Sequence, residues 1–229
     1  MRLDKYLADN TELSRSLAKR ELKNGAITCN DVVITDPGFQ VTDDTDVCWY
    51  GETVGHIPTR YLMLHKPKDT LCSNIDEHYP SILGLIALPQ NQRLRIAGRL
   101  DADTTGLVLL SEDGQWCHRI TSPNHHCEKR YRIQLATPLC ADAEQRCAAG
   151  IELHRDGLTR PAKLVRLSDT EVLLTISEGK YHQVKRMMAA LGNKVLALHR
   201  EQVGAIELDL NLAPGQWRWL TPAEIASVR

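Results

Sequence analysis

Apolar residues recur at helical spacing near the start of the chain. Leu3, Tyr6 and Leu7 lie three to four residues apart and predict a short amphipathic helix over 3–10. Ser14 is placed to cap a second helix, with Leu17, Ala18 and Leu22 on its inner face. Gly25 suits the left-handed residue that ends such a helix. Residues 26–29, 32–34 and 47–50 then form short apolar runs. Asn30-Asp31 and an Asp36-Pro37-Gly38 turn punctuate them, so a small sheet is expected. Residues 55–59 (Gly-His-Ile-Pro-Thr) predict a linker.

A second pattern begins at Arg60. Residues 61–64 predict a strand, 65–69 (His-Lys-Pro-Lys-Asp) a turn, and 71–86 an irregular segment. The continuous apolar run 107–110 predicts a buried strand, and 113–121 a short helix. Residues 128–135 alternate, placing Lys129, Tyr131 and Ile133 on one face. A helical stretch after Pro138 reaches Gly150, and 171–177 predict another strand. Val184, Met187, Met188 and Leu191 mark the inner face of a helix that Gly192 closes. Residues 195–198 and 203–208 predict two closing strands.

Composition changes this picture little. The 229 residues are 42% hydrophobic and 25% charged, as in a soluble globular protein. No run approaches membrane-spanning length and the N-terminus lacks a signal-peptide core, so a cytoplasmic protein with no membrane partner is expected. Seven cysteines without a Cys-x-x-Cys pair point to reduced thiols. Net charge is −1, which gives no global basic field, but the charge is segregated. Residues 1–23 hold Arg2, Lys5, Arg15, Lys19, Arg20 and Lys23, whereas 24–58 hold no Lys or Arg and six acids. A basic helical face of this kind neutralises phosphates with little sequence choice.

The chemistry concentrates in 97–106, Ala-Gly-Arg-Leu-Asp-Ala-Asp-Thr-Thr-Gly. Its glycines, Asp and Thr favour a tight turn that holds Asp101 or Asp103 near a ligand, as a nucleophile or general base requires. Asp101, Asp103, Gly106 and Glu112 resemble a calcium loop, but the flanking helices of that motif are absent from the pattern. Cys117, His118, His125, His126 and Cys127 crowd together without standard zinc-ligand spacing, so no metal is expected. A glycosidase using Asp101 and Asp103 is disfavoured, because residues two apart in one loop do not flank a bond from opposite sides. The block 178–192 offers Lys180, His182, Lys185 and Arg186 to phosphates or to a buried carboxylate.

Two resemblances organise these residues. Arg2-Leu3-Asp4-Lys5-Tyr6-Leu7, Ser14-Arg15 with Ala18, Gly25-Ala26-Ile27 and Asp46-Val47 resemble the S4 RNA-binding module. Gly98-Arg99-Leu100-Asp101 with Thr104-Thr105-Gly106-Leu107, then Lys129 with Tyr131, then 178–187 are similar in order and spacing to the RsuA branch of the pseudouridine synthases. The resemblance implies an α+β chain: a small S4-like domain over 1–57 and a catalytic domain over 58–229 built on a long mixed or antiparallel sheet with flanking helices. It further implies Asp101 as the catalytic carboxylate, Tyr131 against the target base, Lys185 as the paired cation and Arg99 as support. Arg2, Lys5, Arg15, Lys19, Arg20, Lys23, Lys180, His182 and Arg186 are then the expected RNA contacts. The implied substrate is 16S ribosomal RNA in a partly assembled small subunit, turned over by a monomer without cofactor or metal. Large-subunit RNA as target, and a non-catalytic assembly factor, are the alternatives.

Overall fold

The computed structural model describes residues 1–228, and the chain divides into two units, Met1–Pro58 and Thr59–Arg229. The first unit opens with α1 (Leu3–Asn10) and α2 (Arg15–Lys23), the latter capped by the Ser14 hydroxyl accepting from Leu17 N. Strands β1 (Ile27–Cys29), β2 (Val32–Val33), β3 (Val47–Trp49) and β4 (Glu52–Thr53) form an antiparallel sheet in the order β2-β1-β3-β4. Asn30 and Asp31 both take positive φ in the β1–β2 turn, a conformation their short polar side chains tolerate. Leu3, Leu7, Ala18, Leu22, Ile27 and Val47 close the core. Leu17, expected on the inner face of α2, is instead 38% exposed. Glu21 takes the inward place because Tyr50 Oη donates to its carboxylate at 3.0 Å.

In the second unit the strands are β5 (Tyr61–Lys66), β6 (Arg95–Ala97), β7 (Thr105–Ser111), β8 (Lys129–Leu135), β9 (Glu152–Leu153), β10 (Gly157–Leu158), β11 (Lys163–Arg166), β12 (Glu171–Ile176), β13 (Val195–Val203), β14 (Ile206–Glu207) and β15 (Trp217–Trp219). The helices are α3 (Gly114–Thr121), α4 (Ala143–Ala149), α5 (Gln183–Ala190) and α6 (Pro222–Ser227). Nine strands make one mixed sheet. Its path runs β11-β12-β8-β13-β7-β5-β15, with β14 beside β13 and β6 beside β7, while β9 and β10 form a separate hairpin. Among the described residues only β13 and β7 pair in parallel within it.

The run 107–110 is continuously apolar because both faces of β7 are covered. Val108 and Leu110 pack with Leu62 and Leu64 against Met187 and Met188 of α5, whereas Leu107 and Leu109 pack with Met63 against Trp116 and Ile120 of α3. No helix among the described residues is long and apolar enough to cross a membrane.

Two expectations fail here for one reason. The turn expected at 65–69 begins two residues late, because His65 and Lys66 continue β5 opposite Leu107 and Gly106. The two closing strands expected at 195–198 and 203–208 are one nine-residue strand, β13, followed by the short β14. Polar residues in both places look like interruptions, but Lys66 and Arg200 are fully buried inside the sheet with backbone carbonyls as partners.

A candidate active site at the loop before β7

The loop that enters β7 is held from both ends. Lys66 Nζ donates to Ala102 O at 3.1 Å and to Thr104 O at 2.9 Å. On the other side Arg200 Nη2 donates to Gly98 O at 3.0 Å, and its Nε to Leu107 O at 2.8 Å. Between them Asp101 O accepts from Thr104 N at 3.1 Å, forming the tight turn. Gly98 and Gly106 carry φ of 93° and 108°, in the region that favours glycine. At Gly106 the requirement is also steric, since a Cβ there would lie 2.3 Å from Arg200 O.

This scaffold presents Asp101, a third exposed, to the N-terminal end of α5. Lys185 Nζ reaches Asp101 Oδ2 at 3.0 Å and Asp103 Oδ1 at 2.6 Å, so one ammonium joins both carboxylates of the loop. Burial works to lower the Lys185 pKa, but hydrogen bonds and charge from Asp103 and Asp101 outweigh it and hold the group above its ordinary value. Burial likewise works to raise Asp103, and the Lys185 hydrogen bond and charge hold it below its ordinary value. His182 Nε2 stands 3.3 Å from Asp101 Oδ1. Asp101 is therefore gripped on one oxygen by a lysine and approached on the other by an imidazole, a placement that orients a carboxylate for reaction.

The carboxylate opens into a cleft of about 670 Å³, also lined by Arg99, Lys129, Tyr131 and Tyr181. That size admits a nucleoside. Tyr131, on β8 opposite Arg200, is almost wholly buried in the cleft wall, while Arg99 is exposed at the rim. Lys129 is buried and spoken for, donating to Ile120 O at 3.1 Å and Cys127 O at 2.7 Å. Beneath the loop the Thr104 hydroxyl is buried without a hydrogen-bond partner among the described residues.

The remaining expected RNA contacts separate into three groups. His182 lies at Asp101 itself. Lys180 Nζ donates to Asp156 O at 2.8 Å and Leu158 O at 2.9 Å, and Arg186 pairs with the Asp156 carboxylate, so both tie α5 to the β9–β10 hairpin. In the first unit the buried Asp4 carboxylate accepts from Arg2 and Arg15 at 3.1 Å each, with Lys19 Nζ at 3.9 Å. The Arg2 hydrogen bond, above all, holds Asp4 below its ordinary pKa. Lys5 pairs with Asp9, and Arg20 lies 3.7 Å from Glu21. Arg2, Lys5, Arg15, Lys19 and Arg20 all keep at least half of their side-chain surface exposed despite these pairings.

The cysteine and histidine residues at 117–127 do not converge on a metal. His118 and His125 meet ring edge to face, with centroids 6.0 Å apart, and His126 Nδ1 lies against the Arg160 guanidinium at 2.6 Å. No group of three or more His, Cys, Asp or Glu able to hold a metal occurs among the described residues. Glu112, which completed the calcium-like spacing, pairs with Arg60 at 2.8 Å.

Lys66 and Arg200 are the functional-site residues that the sequence reading missed. The local pattern puts Lys66 in a turn and Arg200 in a gap between strands. Arg200 carries one local signal, a cation between the apolar runs at 195–198 and 203–208, whereas Lys66 is followed by Pro67, Lys68 and Asp69 and nothing local marks it as buried.

Comparison with known proteins gives the family of each unit. A model of RNA pseudouridylate synthases matches residues 60–190, and an S4-domain model matches residues 1–47. Ribosomal small subunit pseudouridine synthase A of Escherichia coli (strain K12) is 48% identical over 231 residues, covering all of both chains. The protein of the same name from Vibrio cholerae is 50% identical over 229 residues, covering 100% of this chain and 99% of its own. A crystal structure described as a pseudouridylate synthase superposes with a TM-score of 0.73 at 46% identity, over the full length of both chains.

Proposed function

This chain belongs to the RNA pseudouridylate synthase family, and we propose that it isomerises a specific uridine of 16S ribosomal RNA to pseudouridine, with Asp101 as the reacting carboxylate. The N-glycosidic bond from the sugar to N1 breaks, the uracil turns within the cleft, and the sugar carbon bonds to C5. The proton on C5 leaves and N1 gains one, so the reaction needs no oxidant, energy source, cofactor or metal.

The observation that carries this reading is Asp101 Oδ2 at 3.0 Å from Lys185 Nζ, at the mouth of a cleft walled by Tyr131. The lysine holds the carboxylate by a charge-assisted hydrogen bond and aims it, ready to attack the base or sugar or to abstract a sugar proton. Tyr131 packs on the target base. Extracting that base from its stack costs a few kcal/mol, of which aromatic contact returns about 1–3 kcal/mol. Arg99, at the rim, holds a phosphate or fills the place that the base leaves.

The S4 unit supplies sequence-tolerant affinity through Arg2, Lys5, Arg15, Lys19, Arg20 and Lys23, as residues 1–23 and their exposed cationic heads support. Lys180 and Arg186 contribute to RNA binding by shaping the α5 approach, and His182 by bordering the carboxylate. The working form is a cytoplasmic monomer that meets its RNA in a partly assembled small subunit. The two functional domains of this reading, 1–57 and 58–229, differ by one residue from the two compact units Met1–Pro58 and Thr59–Arg229.

The test is tritium release from C5-labelled uracil in small-subunit RNA carrying ribosomal proteins, with wild type and Asp101→Asn. Release by wild type alone supports the reading. Release only from large-subunit RNA moves the substrate. Tight RNA binding with no release from any particle identifies an assembly factor instead.

A further inference from the structure

Among the described residues no tyrosine or tryptophan is more exposed than Tyr181, at 76%. Its ring nevertheless has a fixed partner. It stacks on His182 with centroids 3.8 Å apart and planes 19° from parallel. His182 takes a left-handed backbone, φ 48° and ψ 33°, a strained choice for a residue with a side chain. That conformation sets the imidazole 3.3 Å from Asp101 Oδ1. Carboxylate, imidazole and phenol thus form a column that starts at the reacting group and ends in solvent.

One face of the phenol is covered by His182, and the exposure of the side chain requires the other to be open. Tyr181 lines the same cleft as Gly98, Arg99 and Asp101. An exposed ring adds nothing to the apolar core, so its value to stability is small. Every nucleobase has a π-face suited to such a surface, and an RNA strand passing Asp101 brings the neighbours of the target uridine with it.

We propose that the free face of Tyr181 is a binding subsite for the nucleobase adjacent to the target uridine. That base adds a third layer to the Tyr181–His182 stack and holds the strand while the target enters the cleft. The inference rests on Asp101 marking the place of the reacting uridine. Stacking of this kind is worth about 5- to 150-fold in affinity.

The experiment uses the full chain and a single-stranded oligouridylate carrying one 2-aminopurine, whose fluorescence falls when it stacks. Wild type, Asp101→Asn, Tyr181→Phe and Tyr181→Ala are titrated, and the melting temperature of each is recorded to show that it folds. Quenching by the first three, with Tyr181→Ala losing the quench and binding about 5- to 150-fold more weakly, is the expected result. Equal quenching and affinity in Tyr181→Ala, or no quenching by wild type at saturation, overturns the subsite. Binding is read without turnover. Absent isomerisation alongside intact, Tyr181-dependent quenching therefore counts against the proposed reaction and not against this subsite.

Discussion

Lys66 and Arg200 hold opposite ends of one loop: the lysine donates to Ala102 O and Thr104 O, the arginine to Gly98 O and Leu107 O. Both are fully buried, so each positive charge is compensated mainly by carbonyl dipoles aimed at it. Burial accordingly pushes the Lys66 pKa down, although Cys72, Asp103 and Asp101 pull the other way. The pair turns a flexible Gly-containing segment into a rigid mount for Asp101.

Removing either grip leaves buried carbonyls without donors. Lys66→Met and Arg200→Lys should each cost about 2–4 kcal/mol in denaturant unfolding, the arginine change because lysine lacks the planar fork. Turnover should fall at least about tenfold in protein that remains folded, since small misplacements of a reacting group are costly. Equilibrium unfolding and tritium release measured on the same samples check both.

Gly106→Ala should be among the most damaging single-methyl changes in the chain. The new Cβ would meet the Arg200 backbone at 2.3 Å, at a φ of 108°, and so would push β7 from β13 along their parallel contact. A loss of about 3–5 kcal/mol, or insoluble protein, is expected. Gly179→Ala is the control. Nothing lies within 4 Å of its Cβ, so its unfolding midpoint should match wild type.

Lys185→Met should lower kcat by about 10²–10³-fold, the usual effect of deleting one preorganised electrostatic partner. Lys185→Arg, which keeps the charge and gains a fork, should retain most activity. The clasp also has a pH signature. Lys185 is raised above 10.5 in the folded protein, so its contribution is complete below that pH and disappears as pH rises through the folded value. Asp103 is lowered below 3.8, so its contribution is complete above that pH and disappears as pH falls through the folded value. The melting-temperature difference between wild type and Lys185→Met should be flat between these limits and shrink at both.

Alkaline stability should depend on Tyr61. Burial first, then its hydrogen bond to Asp113 at 3.0 Å, raises the phenol from 10.0 to about 12. The neutral form is favoured in the folded state, so the contribution is present below pH 10.0 and is lost as pH approaches about 12. Tyr61→Phe should flatten this decline in a pH series of unfolding midpoints.

The basic face of α2 should register in salt dependence. Replacing Lys19 or Lys23 by Ala should weaken RNA binding uniformly across sequences and reduce the slope of log affinity against log salt by about 1 each. A slope unchanged in the double variant would remove that face from the interface.

Local signals carried much of this molecule. The spacing of Leu3, Tyr6 and Leu7 marks α1, and Ser14 and Gly25 bracket α2. The alternation at 129–135 marks β8, and the Val184–Met187–Met188 face marks α5. Each follows from the period at which one segment buries its own apolar side chains, information contained within about ten residues. The motif around Asp101 is local too, and the family-model match over 60–190 agrees with the resemblance it suggested. What only the tertiary structure decided is the fate of polar residues whose partners are distant in sequence. Lys66 reads as a turn residue until Ala102 and Thr104 arrive from 36 and 38 positions away. Arg200 reads as a strand break until Leu107 and Gly98 meet it from 93 and 102 positions away. The meeting of His182 with Asp101, 81 positions away in sequence, likewise belongs to the folded chain. A charge enters a core only where acceptors converge on it, and that convergence belongs to the folded sheet and not to any segment of the chain.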